Sequence, residues 1–160
     1  MSTFAVSRSA FIPAAPQDVF AHVNDFHLWG AWSPWEKLDP AMSKNYSGPE
    51  SGPGAHYSWE GKKAGSGNMT IEAATAPESS TDGAGSIDID LHFLKPFKNN
   101  NHTLFTFVPE RDGTKVTWTM SGENKTLFSK IFAKVFSMDK MVGKDFEKGL
   151  ADLSTVATSR

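Results

Sequence analysis

The sequence contains no cysteine, which excludes a disulfide scaffold, a zinc site built from thiolates and a cysteine nucleophile. No run of apolar residues approaches the length of about 18 at which a membrane-spanning helix is expected. Lysine and arginine number 16 against 18 aspartates and glutamates, so the basic excess of nucleic-acid-binding proteins is missing. The composition therefore predicts no nucleic-acid partner and no integral membrane association.

The N-terminal segment MSTFAVSRSAFIP lacks the basic start and apolar run of a signal peptide, so a cytoplasmic location is expected. A length of 160 residues suits a single domain spanning 1–160, and no internal repeat divides it. A monomer and a homodimer are both compatible with the sequence.

Sequence motifs for cofactors and metals are also missing. There is no G-x-S-x-G, no Walker loop and no G-x-G-x-x-G. The five histidines form no i,i+4 pair on a predicted helix, and no H-E-x-x-H pattern accompanies them. We therefore expect no metal and no organic cofactor.

Aromatic residues are abundant: 12 Phe, 5 Trp and 2 Tyr. Much of the chain alternates apolar and polar residues, which predicts antiparallel strands with one buried face and one wet face. The alternating segments are 4–12, 55–60, 68–73, 87–93, 103–107 and 116–120, with a weaker strand at 43–47. Asp112-Gly113 predicts a hairpin turn between the last two segments.

Helices are predicted near the two ends. The prolines after the first strand suit a helix start, and one or two short helices are expected there. From Met138 to Val156, apolar residues recur at steps of three and four, which predicts a long helix at about 137–157. The expected architecture is α+β: a curved antiparallel sheet of six to seven strands wrapped around this C-terminal helix, with a cavity between them.

The segment FIPAAPQDVFAHVNDFHLWGAWSPWEKLDP contains Trp29, Trp32, Pro34 and Trp35. Further along the chain come GPGAHYSWEG, GSGNMTI, FTFVPERDGTKVTWTMSGE and MDKMVGKDFEKGLADL. Together these motifs resemble those of polyketide cyclase/dehydrase-like proteins, which belong to the START-like, helix-grip (SRPBCC) superfamily that includes the Bet v 1 allergens. The resemblance implies the helix-grip fold. It transfers no catalytic residue, because no aromatase motif can be matched here.

The aromatic cluster is the best candidate site, because rings offer a large contact area to an apolar ligand. Alternation places several rings on the inner face of the sheet, although plain core filling would require the same placement. The candidate ligand-binding residues are Trp32, Trp35, Trp59, Phe93, Phe105, Phe107, Trp118, Met138 and Met141.

Glu60, which follows Trp59 at the end of a predicted strand, is the candidate catalytic residue. Strand ends near a glycine can twist inward, and a buried carboxyl there could serve as an acid or base. The alternative is a rim carboxylate that pairs with Lys62 or Lys63.

Three functions fit these patterns. The first is binding of a small hydrophobic or aromatic molecule, as a carrier or sensor. The second is a cofactor-free cyclase or dehydratase that acts on such a molecule. The third is a cochaperone-like interaction module with a filled interior. The apolar stripe at 127–136 fits either a lid over the cavity or ordinary packing.

Overall fold

A computed structural model describes residues 3–95, 98–123 and 138–158. Within these ranges, seven strands form one curved antiparallel sheet, in agreement with the sequence prediction. The strands are β1 (Thr3–Ile12), β2 (Ser43–Ser47), β3 (His56–Gly61), β4 (Gly65–Thr75), β5 (Gly85–Lys95), β6 (Asn99–Glu110) and β7 (Gly113–Glu123).

The sheet order is β1-β7-β6-β5-β4-β3-β2, so strands β2 to β7 form a meander and β1 joins it beside β7. The alternation in β5 is observed: Ile87, Ile89 and Leu91 are buried, whereas the residues between them are partly exposed. Between Ile71 and Ala73 the pairing of β4 with β5 shifts register. Such irregularities bend a strand and increase its twist, which suits a sheet that curves around a helix.

Two short helices follow β1, as predicted: α1 (Pro16–Val23) and α2 (Pro34–Leu38), with a 3₁₀ turn (Phe26–Ala31) between them. A proline in the first turn of each α-helix has the fixed φ that a helix start requires. A second 3₁₀ turn (Pro77–Ser79) separates β4 from β5. Within the described ranges, no helix is long and apolar enough to cross a membrane.

The predicted C-terminal helix is observed as α3 (Met138–Thr158). It packs mainly beside β1 and also contacts α1 and α2. Phe146, Leu150 and Leu153 on its inner face are fully buried. The core therefore lies between this helix, the short helices and the inner face of the sheet.

The β6–β7 hairpin is observed, but its turn differs from the prediction by one residue. Glu110 pairs with Gly113, so the two loop residues are Arg111 and Asp112, and Arg111 takes the positive φ of 51°. Gly113 is instead the first residue of β7, where a Cβ would clash with the backbone carbonyl of Ile12. The glycine is needed for this close approach rather than for the turn.

Candidate functional site

A cavity of about 100 Å³ lies between the sheet and the helices. Strands β3 to β7 supply one wall, and the other wall comes from the 3₁₀ turn, α2, Met42 and α3. The lining residues are Trp29, Ser33, Trp35, Glu36, Met42, Tyr57, Trp59, Ala64, Met69, Leu91, Phe93, Thr103, Trp118, Met120 and Phe146.

Aromatic rings form most of this wall and pack against one another. Trp118 of β7 stacks on Phe146 of α3, with ring centroids 4.1 Å apart and planes 7° from parallel. Trp35 of α2 meets both rings edge-on. On the opposite side, Trp59 stacks on Tyr57 at 5.9 Å. These ring contacts hold the wall in a defined shape, so the cavity is set by packing of rigid groups.

Four of the predicted ligand-binding residues line the cavity: Trp35, Trp59, Phe93 and Trp118. Trp59 of β3 and Phe93 of β5 meet edge-on across β4, at 6.2 Å between centroids. The Trp59 indole N–H donates to the carbonyl oxygen of Ala64 at 3.3 Å. This bond fixes the indole and commits its donor to the chain. Contact of these four residues with a ligand stays a prediction.

Three other predicted residues, Trp32, Phe105 and Phe107, are fully buried and do not line the cavity. Trp32 packs edge-on against Phe105 at 6.0 Å, and Phe107 packs in the same way against Phe20 of α1 at 5.5 Å. The first 3₁₀ turn and α1 cover these rings, so at their depth the interior is filled. Their positions agree with the alternative that inward-facing rings simply fill the core.

The other predicted residues are Met138 and Met141, whose side chains lie outside those that the structure describes. The segment 127–136, for which a lid and ordinary packing were the alternatives, also lies outside the described residues.

Glu60 does not face the cavity. Its side chain is 72% exposed, and Lys95 Nζ lies 3.9 Å from its carboxylate. The regular alternation of β3 continues to the strand end and directs Glu60 away from the face that carries Trp59. The inward twist and burial on which the predicted catalytic role depended are not observed, and the observed ion-pair partner is Lys95 rather than Lys62 or Lys63.

The polar end of the cavity was not predicted. Glu36 of α2 lines the cavity with its side chain only 5% exposed. Its Oε1 accepts a hydrogen bond from Lys44 Nζ of β2 at 3.0 Å, and this bond raises the pKa of Lys44. Its other oxygen, Oε2, is buried and has no hydrogen-bond partner within the described part of the chain.

Tyr57 of β3 contributes a second polar group to the same cavity. The residue is 2% exposed, and its hydroxyl makes no hydrogen bond of good geometry with any described residue, although it lies close enough to Glu36 for a weak interaction. Burial, reinforced by the nearby negative charge of Glu36, raises the pKa of Tyr57 well above that of an exposed tyrosine. The hydroxyl therefore keeps its proton at neutral pH.

Some of the missed residues had a signal in the sequence. Tyr57 alternates with Trp59 and so shares its inward face. Glu36 had no such signal, since the helix that carries it is only five residues long. Across the described residues, no three His, Asp or Glu side chains are grouped closely enough to hold a metal ion.

The family model for polyketide cyclase/dehydrase and lipid transport matches residues 3–158. The chain belongs to this family. The sequence resemblance to polyketide cyclase/dehydrase-like proteins is thereby confirmed. No curated protein sequence matches the chain significantly.

Solved structures of similar fold cover nearly the whole chain at low sequence identity. Protein CV1439 from Chromobacterium violaceum is 11% identical, with a TM-score of 0.66 and 98% of each chain covered. Ara h 8.0201 is 14% identical, with a TM-score of 0.65 over 99% of this chain and 100% of that one. Truncated norcoclaurine synthase from Thalictrum flavum is 11% identical, with a TM-score of 0.66 over 99% and 96%. At such identities the likeness establishes the helix-grip fold alone.

Proposed function

We propose that the protein binds a small hydrophobic or aromatic molecule in the cavity between the sheet and α3, as a carrier or sensor. The observation that supports this proposal is the ring-lined cavity itself, in which Trp35, Trp59 and Trp118 leave space instead of filling the interior. Apolar surface of this kind gains free energy when a ligand displaces water from it. The family description, which includes lipid transport, agrees with such a role.

The cavity also favours binding over the cochaperone-like alternative. An interaction module needs no internal space, and its interior would be expected to close fully. In this chain the interior is closed around Trp32, Phe105 and Phe107 but remains open next to Trp118.

A cyclase or dehydratase is the second candidate, because two ionisable side chains, Glu36 and Tyr57, line the same cavity. Acid–base catalysis works best when the pKa of the catalytic group lies near the working pH. The pKa of Tyr57 is moved in the opposite direction, and Glu36 is already held in an ion pair with Lys44. Both features suit recognition better than proton transfer.

Filling the cavity tests the proposal. Ala64 lines the cavity, so Ala64→Leu places additional carbon atoms inside it. Ala21→Leu, on the exposed side of α1, is the matched control. Toluene binding is followed by tryptophan fluorescence and by NMR chemical shifts. We expect Ala64→Leu to weaken binding by about tenfold or more, because filled space excludes the ring.

The proposal is overturned if Ala64→Leu and Ala21→Leu bind toluene equally well, or if the wild-type protein does not bind it. If toluene binds as expected, native mass spectrometry of freshly purified protein identifies the molecule that the cavity holds. Incubating the protein with that molecule separates the two candidates, because an enzyme converts it and a carrier returns it unchanged.

A further inference from the structure

The cavity contains two polar atoms without hydrogen-bond partners in the described structure. They are Oε2 of Glu36 and the hydroxyl oxygen of Tyr57, on side chains that are both more than nine-tenths buried. Buried polar groups in folded proteins are nearly always paired, because an unpaired group loses its water without compensation. Glu36 and Tyr57 interact only weakly with each other, so the two atoms form one polar spot at which a third group can make hydrogen bonds of good geometry to both.

The chemistry of the two atoms limits what that group can be. The Glu36 carboxylate can only accept a hydrogen bond, whereas the protonated Tyr57 hydroxyl can donate one. A single hydroxyl group satisfies both, since it donates through its hydrogen and accepts through its oxygen. A ligand without polar atoms would leave the two groups with only their weak mutual interaction.

Charge balance favours a neutral ligand. Lys44 Nζ lies 3.0 Å from Glu36 Oε1, so the charge of the carboxylate is already balanced. A cationic ligand would therefore bring an unbalanced positive charge into the apolar cavity, and an anionic ligand would meet the carboxylate. A neutral hydroxyl avoids both costs.

We propose that Glu36 and Tyr57 select a neutral aromatic alcohol or phenol, whose ring contacts Trp59 and Trp118 and whose hydroxyl bridges the two polar groups. This inference rests on the proposed function, since it names the class of ligand for the same cavity. The cavity volume of about 100 Å³ limits the ligand to a single ring, because benzene already occupies an engineered cavity of about 150 Å³ in another protein.

Matched ligands of one size test the selection. Toluene and p-cresol differ by one hydroxyl, while benzylamine and benzoate carry a positive and a negative charge. We expect calorimetry at pH 7 to give p-cresol about tenfold tighter binding than toluene, the effect of one satisfied hydrogen-bonding site. Benzylamine and benzoate should bind more weakly than p-cresol.

Tyr57→Phe removes the hydroxyl and keeps the ring. We expect it to weaken p-cresol binding about fivefold or more and to leave toluene binding unchanged. Tyr46→Phe is the matched control, since Tyr46 packs on Tyr57 at 5.2 Å but does not line the cavity. The control should change neither ligand affinity nor ligand preference.

The outcomes separate this inference from the proposed function. Equal affinity for toluene and p-cresol, or an equal loss of both in Tyr57→Phe, overturns the hydroxyl selection and leaves the apolar cavity as the binding site. Tighter binding of benzylamine or benzoate than of p-cresol overturns the argument from charge. If none of the four ligands binds, the proposed function itself fails.

Discussion

Phe146 connects the cavity to the stability of the fold, so its truncation tests both. The ring lies on α3, is fully buried and stacks on Trp118 of β7 with centroids 4.1 Å apart. It also lines the cavity. Phe146→Ala therefore removes a contact between the C-terminal helix and the sheet, and at the same time removes part of the cavity wall.

The expected loss of stability follows from the buried area. A buried phenylalanine removes roughly 150 Å² from water, and at about 25 cal/mol per Å² this contributes about 4 kcal/mol. The lost ring stack adds roughly 0.5–1.5 kcal/mol. Because one side of Phe146 already faces a void, the ring has fewer neighbours to lose. We therefore expect the free energy of unfolding to fall by about 3–4 kcal/mol, within the range of about 3–5 for such substitutions.

Urea denaturation measures this loss, and Phe107→Ala is its matched control. Phe107 is equally buried but does not line the cavity. Both variants should be destabilised, but only Phe146→Ala should gain affinity for naphthalene, because only there does the lost ring enlarge the existing cavity. Phe146→Leu offers a milder change if the alanine variant does not fold. A loss below about 1 kcal/mol, or the same naphthalene affinity in both alanine variants, would refute the reasoning.

Two further predictions concern pH. Both ring nitrogens of His92 contact oxygen atoms, Asp90 Oδ2 at 2.7 Å and Asn100 Oδ1 at 2.6 Å, and these bonds raise the pKa of the ring. The resulting stabilisation is present below the ordinary histidine pKa of 6.5 and is lost as pH rises through the raised value. His92→Gln should thus cost about 0.2–1 kcal/mol in urea titrations at pH 5.5 and nothing at pH 9; equal costs at both pH values would contradict this. The backbone N–H groups of Ala64 and Lys63 donate to Asp39 and lower its pKa. The stability that Asp39 contributes to the fold is therefore present above the ordinary pKa of 3.8 and is lost as pH falls through the lowered pKa. Asp39→Asn should lower the melting temperature at pH 7 and approach wild-type stability towards pH 2, and a pH-independent difference would count against this role.

Alternation in the sequence predicted the strands and the inner faces of most of them. In β4 the inner face changes at the register shift, so Ala73, which alternates with Ile71 in the sequence, is exposed and Ala74 packs against the core instead. Successive side chains of a strand point to opposite faces of the sheet, so a buried face requires apolar residues at every second position. The same rule placed Trp59, Phe93 and Trp118 inside the fold. The three-and-four spacing from residue 138 onwards predicted α3, because a helix that packs on a sheet needs one apolar stripe.

The division of the inner face into core and cavity could not be predicted in this way. Alternation specifies the side of the sheet but not how far along a strand a covering helix reaches. Phe105, Phe107 and Trp118 all point inward, yet α1 and the first 3₁₀ turn cover only the first two completely. Whether a ring fills the core or lines a cavity depends on the placement of elements that are distant in sequence.

The polar end of the cavity was missed for a related reason. A helix of five residues is too short for its sequence to define a buried face, so Glu36 looks like an ordinary surface glutamate. Its partner Lys44 lies eight residues later on an edge strand, and the pair forms only after β2 has joined the sheet. Burying a carboxylate oxygen and a tyrosine hydroxyl without partners costs stability. Local rules of folding are most often violated at functional sites. The unpaired atoms of Glu36 and Tyr57 therefore favour this end of the cavity, rather than the exposed Glu60, as the place where a ligand is recognised.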